Sequence, residues 1–359
     1  LQATGTQAAG AAALRWYVSL TIIFILRMIV IMSPMSRRLS TASFLRRLIL
    51  GSVAAALTMT VAACSPGPGA GGDAAGAVVT SFYPLQFATE QIAGGRLAVT
   101  VLTKPGAEPH DLELAPQDVA ALTKARLVVY SDGFQPAVDD AVAQSSPASV
   151  LDVADAARLT LPANPEPGGQ TSSAQQATPA PAGGHGSADP HFWLDPQRYA
   201  AVVQTIGKRL ESIDPKNAAT YAKNTTTFVA RLTALDAEYK AGLRQCRSKV
   251  LVTSHAAFGY LAQRYGLEQH GISGISPDTE PSAASLQAIS QLVRKDGVTT
   301  IYQETLVAPQ LAQTVAATTG ATVATLDPIE GITGSSAGKD YFAVMHSNLA
   351  AIQKGLGCS

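Results

Sequence analysis

The sequence predicts an α/β protein of two parallel-sheet lobes joined by a single long backbone helix. Short apolar runs alternate with amphipathic stretches from Val78 onward, the pattern of parallel βαβ units. One stretch breaks the alternation: over 215–245, Tyr221, Phe228, Leu232, Leu235, Tyr239 and Leu243 share one helical face. A chain of 359 residues, 47% of them hydrophobic, can also bury two cores of ordinary size.

The first 63 residues are set apart by charge. They hold six arginines (Arg15, Arg27, Arg37, Arg38, Arg46 and Arg47) and no acid, so the formal net charge of zero hides an asymmetry. Taking those six from the 26 basic residues leaves 20 against 26 acidic. An acidic body argues against a nucleic-acid partner and suits a cationic ligand. Met35-Ser-Arg-Arg opens a charged segment, an apolar run follows over 48–61, and Val61-Ala62-Ala63 precedes Cys64. These are the parts of a secretory signal over 35–63. Cysteine directly after Val-Ala-Ala resembles a bacterial lipobox, which implies cleavage before Cys64, lipid on its thiol and a membrane anchor. Residues 64–76 are rich in Gly, Pro and Ala, as a flexible tether would be. Residues 1–34 read as an upstream extension outside the real start. The run over 17–32 is apolar but carries Arg27 at its middle, and a transmembrane helix is its other reading.

The N-terminal lobe is expected over 77–214. A buried strand over 78–83 leads into a helix over 84–93, and a second strand covers 97–102. Its exit loop, 104–111, is full of turn formers and delivers His110. A helix over 116–124 and a strand over 127–130 follow. Residues 162–190 are rich in Pro, Gly, Ser and Gln, the composition of a surface loop. That loop contains His185 and closes on Asp189-Pro-His191, before a helix over 196–210. The linker helix is assigned to 215–246 and the C-terminal lobe to 247–359. In that lobe a strand over 250–253 runs toward an amphipathic helix with Phe258, Leu261, Ala262 and Tyr265 at i, i+3, i+4, i+7. Ser254 is a candidate N-cap there, and the helix dipole should keep His255 neutral. A helix over 282–295, a strand over 298–302, a helix over 308–318, a strand over 322–326 and a helix over 339–356 complete the chain.

The three cysteines form no CxxC pair, which excludes a zinc ribbon. With Cys64 set aside, Cys246 and Cys358 remain. In an exported protein they are expected to form a disulfide, two buried free thiols being the other reading.

His110, His255, Glu304 and Asp327 fall at predicted strand ends, and His191 arrives from the loop side. In an α/β sheet, ligands bind at the carboxyl ends of strands. Three imidazoles and a carboxylate suit tetrahedral zinc, although no short pair such as HExxH is present. Taken singly, a loop histidine is usually polar surface, and His270 and His346 are read that way. Glu304 is either a ligand or an acceptor behind a ligating imidazole. Asp327 is either a ligand or a cap for the turn after Pro328.

Five motifs occur in order: Glu108-Pro-His110-Asp, His191-Phe-Trp-Leu-Asp195-Pro, Thr253-Ser-His255-Ala-Ala-Phe-Gly-Tyr260, Gly274-Ile-Ser-Pro-Asp-Thr-Glu280-Pro-Ser and Gln303-Glu304-Thr-Leu. Together they resemble the zinc/manganese solute-binding proteins of ABC importers, the metal-binding cluster A-I family. The resemblance runs from about Val78 to the C-terminus. It implies a metal site in the cleft between the lobes, with ligands His110, His191, His255 and Asp327 and with Glu304 just behind them. Manganese-preferring members typically carry glutamate where this chain has His255, so the zinc-type branch is implied, and imidazole indeed suits zinc. The loop departs from many zinc members in being short on histidine. The implied function is that of a monomeric, lipid-anchored receptor on the extracytoplasmic face. It would capture Zn²⁺ as transported ligand and deliver it to an ABC permease and its ATPase, without enzymatic activity. A manganese receptor or adhesin of the same fold is one alternative, and a zinc hydrolase with Glu304 as general base is another.

Overall fold

The computed structural model describes residues 76–163 and 188–359. The expectations for the upstream extension, the signal, Cys64, the tether and His185 lie outside the described residues. Among the described residues no helix is long and apolar enough to cross a membrane.

Each lobe is built on a four-stranded sheet in which every pairing is parallel. The N-terminal lobe runs β1 (Val78–Thr80), α1 (Tyr83–Ala93), β2 (Val99–Val101), α2 (Pro116–Lys124), β3 (Leu127–Tyr130), α3 (Pro136–Ser145), β4 (Val150–Asp152) and α4 (Ala154–Ala157). Its strand order is β2-β1-β3-β4. A short 3₁₀ turn, Phe192–Leu194, precedes α5 (Pro196–Ile213), and a second, Pro215–Asn217, precedes α6 (Ala218–Gly242). The C-terminal lobe runs β5 (Val250–Thr253), α7 (Gly259–Tyr265), β6 (Glu268–Gly271), α8 (Ala283–Lys295), β7 (Thr300–Gln303), α9 (Gln310–Thr319), β8 (Thr322–Thr325) and α10 (Tyr341–Leu356). Its order is β6-β5-β7-β8, the same topology as the first lobe. In both lobes the chain reverses direction across the sheet between the two central strands, the place where open α/β sheets bind ligands.

The central strands are continuous apolar runs because helices cover both of their faces: Val78, Val79 and Leu127 to Val129 are fully buried. β6 could not be found this way. Its sequence, Glu-Gln-His-Gly, has no apolar alternation, yet pairing with β5 buries Gln269 and His270. His270 is therefore not a surface residue as expected. It lies in the lobe interior with Nε2 2.9 Å from Glu268 Oε1. His346 does lie on the surface, half exposed beside Glu238.

α6, of 25 residues, is about 37 Å long at ~1.5 Å per residue. The apolar face read from the sequence is the face it buries, from Tyr221 through Phe228, Leu232 and Leu235 to Tyr239. Two buried hydroxyls fasten its ends: Tyr221 Oη donates to Asp214 Oδ2 at 2.6 Å, and Tyr239 Oη donates to the Met345 carbonyl at 2.6 Å. α5 packs along it. A Cβ at Gly207 would lie 2.2 Å from Thr225 Oγ1, so glycine permits that approach. α5 begins where the Asp195 side chain caps the Gln197 N–H at 2.9 Å, with Pro196 at the first helical position. Arg264 of α7 grips Asp236 of α6 in a fork, at 2.6 and 2.9 Å, and reaches Asp195 Oδ1 at 3.2 Å. One guanidinium thus ties the C-terminal lobe to both long helices.

Cys246, just beyond α6, is disulfide-bonded to Cys358 at the end of α10, closing a loop with a sequence separation of 112. Replacing both cysteines with serine should lower the free energy of unfolding by about 2–5 kcal/mol, mostly by loosening the unfolded chain. Urea unfolding of the oxidised protein, the reduced protein and the double variant will measure it. The reduced protein and the variant should coincide.

Candidate metal centre

His110, His191, His255 and Glu330 are brought together at the mouth of the two sheets. His110 leaves the loop after β2. Its N–H donates to Glu108 Oε1 at 3.0 Å, and the preceding Pro109 carbonyl accepts from Gln135 Nε2 at 3.1 Å. The edge of its ring meets Phe134, with centroids 4.8 Å apart. His191 stands at the start of the Phe192–Leu194 turn. Asp189 Oδ1 accepts from both its backbone N–H (2.9 Å) and its Nδ1 (2.8 Å). His255 follows β5. Its N–H donates to Glu304 Oε1 at 2.9 Å and its Nδ1 to Glu304 Oε2 at 2.7 Å. Glu304 follows β7, the neighbour of β5 across the reversal in strand order.

These bonds set the tautomers. A carboxylate only accepts, so Nδ1 of His191 and of His255 carries hydrogen, and Nε2 is the nitrogen that can offer a lone pair to a cation. Those nitrogens converge. His191 Nε2 lies 3.2 Å from His110 Nε2, 3.4 Å from His255 Nε2 and 3.0 Å from Glu330 Oε1. Glu330 Oε1 is also 3.7 Å from His110 Nε2 and 3.3 Å from His255 Nε2. Four donors around a tetrahedral zinc at bond lengths of ~2.0–2.1 Å would be spaced about 3.3 Å apart. These five of the six spacings bracket that value, and the remaining pair, His110 and His255, lies within 4.8 Å. Three of the side chains are 0 or 1% exposed, and His110 alone, at 8%, touches solvent.

The fourth member of the cluster is Glu330, and Asp327, which was expected there, is not among the grouped side chains. Asp327 Oδ1 turns back to accept from the Ile329 N–H at 2.8 Å, the capping alternative. Its own backbone is clamped by Asn348, whose Oδ1 accepts from the Asp327 N–H (3.0 Å) and whose Nδ2 donates to the Asp327 carbonyl (2.7 Å). The chain then passes through Ile329 at φ 59°, a left-handed conformation that a β-branched residue rarely adopts, and this turn delivers Glu330. Nothing in hydrophobic period marks a carboxylate five residues past the end of β8, which is why Glu330 was missed. Asp189 was missed too, although a carboxylate two residues before a ligating histidine is a readable signal. Ser254 does not cap a helix. Five residues separate β5 from α7, and its hydroxyl contacts the Tyr302 carbonyl.

The electrostatics overturn the helix-dipole expectation for His255. Burial pushes that imidazole toward neutrality, but the charges and hydrogen bonds of Glu304 and Glu330 outweigh it and hold its pKa well above the usual value. His191 is raised in the same way by Asp189 and Glu330 against burial, whereas burial dominates at His110 and lowers it. Burial also works against the Glu330 carboxylate, yet the surrounding imidazoles hold it well below the carboxylate range. The negative oxygen of Glu330 thus lies against His191 and His255, the two imidazoles whose protonated form is favoured. A divalent ion would displace those protons.

A family profile described as "ZnuA: Zinc-uptake complex component A periplasmic" matches residues 78–355. The zinc-binding lipoprotein AdcA of Streptococcus pneumoniae is 35% identical over 283 residues, 77% of this chain and 55% of the relative. The chain thus spans about half the length of the streptococcal relatives it matches. The high-affinity zinc uptake system protein ZnuA of Bacillus subtilis is 32% identical over 285 residues, 78% of this chain and 87% of the relative. Among solved structures, Zn(II)-bound AdcA from Streptococcus pneumoniae aligns with a TM-score of 0.64 at 34% identity, over 78% of this chain and 57% of that one. A mutant of the laminin-binding adhesin Lmb from Streptococcus agalactiae aligns with a TM-score of 0.67 at 34% identity, over 78% and 99%.

The two carboxylates can be told apart. Glu330→Gln should weaken divalent-metal binding by at least about tenfold, no less than the loss of a partner behind a ligand costs. Asp327→Asn keeps an oxygen for the Ile329 N–H and should leave affinity within about threefold. Calorimetric titration of both variants will show which carboxylate is the ligand.

Proposed function

The chain belongs to the family of zinc-uptake complex component A proteins, and from that premise we propose that it captures Zn²⁺ outside the cytoplasm and delivers it to an ABC permease. The observation that carries the proposal is the convergence of four donor atoms, five of whose six spacings lie near those of a tetrahedral zinc shell. Three neutral nitrogen donors and one carboxylate favour zinc over manganese, which prefers oxygen-rich sites of higher coordination number. We assign His110, His191, His255 and Glu330 as ligands, with Asp189 and Glu304 orienting two of the imidazoles.

The donor set also favours a receptor over a hydrolase. A catalytic zinc keeps one position open for water. Here four protein donors converge, and Glu304, the candidate general base, is fully engaged with His255 through both oxygens. Cargo must nevertheless leave. His110 is the one ligand with an exposed edge, so exchange is assigned to its side of the cleft, by separation of the lobes. The relatives' lipoprotein name and the Val-Ala-Ala-Cys64 motif support attachment to the outer face of the membrane through Cys64, with the permease and its ATPase as partners.

His255→Ala should lower zinc affinity at least about tenfold, since it removes a ligand and also leaves Glu304 without its partner. An unchanged titration would refute the site. In thermal-shift measurements Zn²⁺ should raise the melting temperature at lower concentration than Mn²⁺ does. The reverse order would make the protein a manganese receptor.

A further inference from the structure

His191 depends on Asp189, and Asp189 depends on a residue of the other lobe. Tyr260 of α7 is fully buried, and its hydroxyl is saturated. It accepts from the N–H groups of Thr160 (3.0 Å) and Leu161 (3.3 Å) and donates to the Asp189 carbonyl (2.9 Å). These partners are the described residues flanking 164–187. They are also paired with each other, the Asp189 N–H donating to the Leu161 carbonyl at 2.8 Å. The Tyr260 ring is held in place by Arg198 of α5, whose guanidinium lies 4.3 Å from the ring centroid. The same guanidinium donates to the carbonyls of Ala157 and Arg158, to Thr160 Oγ1 and to Gln263 Oε1. One residue before Tyr260 there is no room to spare. A Cβ at Gly259 would lie 2.7 Å from Asp189 Oδ2, so the start of α7 rests against the carboxylate whose other oxygen holds His191.

On the reading of the site given above, we propose that Tyr260 is a positioning residue for metal capture. Its hydroxyl fixes Asp189, and Asp189 fixes the tautomer and direction of His191. His255 lies five residues before Tyr260 in sequence. The C-terminal lobe therefore supplies one imidazole directly and aims a second from the N-terminal lobe. Two ligands on different lobes are kept in register by a protein bond as well as by the ion. Losing that bond lets His191 wander and shortens the residence of the metal, while every ligand stays present.

The test is the rate at which Zn²⁺ leaves the protein into excess chelator, followed by stopped flow. Tyr260→Phe removes one oxygen and should speed release about tenfold, the low end of the cost of losing a partner behind a ligand. Tyr239→Phe is the matched control, because it also deletes a buried hydroxyl bonded to a carbonyl, in α6 and away from the site. It should release Zn²⁺ at the wild-type rate even where its melting temperature falls as far. In an Asp189→Ala background the link to His191 is already cut, so adding Tyr260→Phe should change release less than twofold. Gly259→Ala keeps the hydroxyl but crowds Asp189 and should also speed release; it decides the matter if Tyr260→Phe does not fold. Wild-type release in the folded Tyr260→Phe variant overturns the proposal. So does an equal effect of Tyr239→Phe, or a full effect on top of Asp189→Ala. If the wild-type protein takes up no Zn²⁺, the functional reading itself falls, and the positioning role with it.

Discussion

The interaction on which the rest of the site depends is the carboxylate behind the imidazole. Asp189 and Glu304 each bind one histidine twice, through its backbone N–H and through Nδ1. A double attachment leaves the ring little freedom to rotate and fixes the hydrogen on Nδ1, so Nε2 faces the centre in a defined direction. Without these bonds the two fully buried imidazoles, His191 and His255, would be expensive polar groups seeking partners. With them, the three nitrogens and Glu330 Oε1 stand at the corners of one small polyhedron.

The fold supplies the places from which those groups reach inward. Both lobes repeat the same strand order, and in the C-terminal lobe His255 and Glu304 leave the two central strands on either side of the reversal. The N-terminal lobe supplies His110 from the edge of its sheet and His191 from a turn locked by Trp193, whose Nε1 donates to the Pro328 carbonyl at 2.7 Å. That bond crosses to the segment that carries Glu330. Long helices behind the cleft, pinned together through Arg264 and its two aspartates, hold the lobes at a set distance. A connector of this kind permits small rotations of one lobe against the other more readily than wide opening.

Most of the architecture was legible in the sequence, because buried parallel strands and one-sided helices leave strong periodic traces. The buried face of α6 was read residue by residue. β6 left no such trace: Gln269 and His270 are polar, and only neighbouring elements make that strand an interior one. The site was legible in part. His110, His191 and His255 were visible as imidazoles at strand mouths and inside motifs, and Glu304 as a carboxylate at the end of a central strand. Glu330 was not, because its position depends on Ile329 adopting a left-handed conformation that its side chain disfavours. Asp327, the nearer carboxylate, was left open by spacing and chosen through the family resemblance; in the structure it braces the turn that carries Glu330. The direction of the His255 shift was misjudged for a related reason. The nearby carboxylates of Glu304 and Glu330 outweigh the partial charge of a helix end, and α7 begins four residues beyond His255, not at it.

The bond between Cys246 and Cys358 makes the C-terminal lobe a covalent ring. His255, Glu304 and Glu330 all lie on its circumference, as does Tyr260. A ring cut once becomes a line without losing a piece. A protease that nicks any one loop of this lobe would leave both fragments covalently attached through Cys246, just beyond α6. The lobe's donors would then disperse only after a second cut or after reduction.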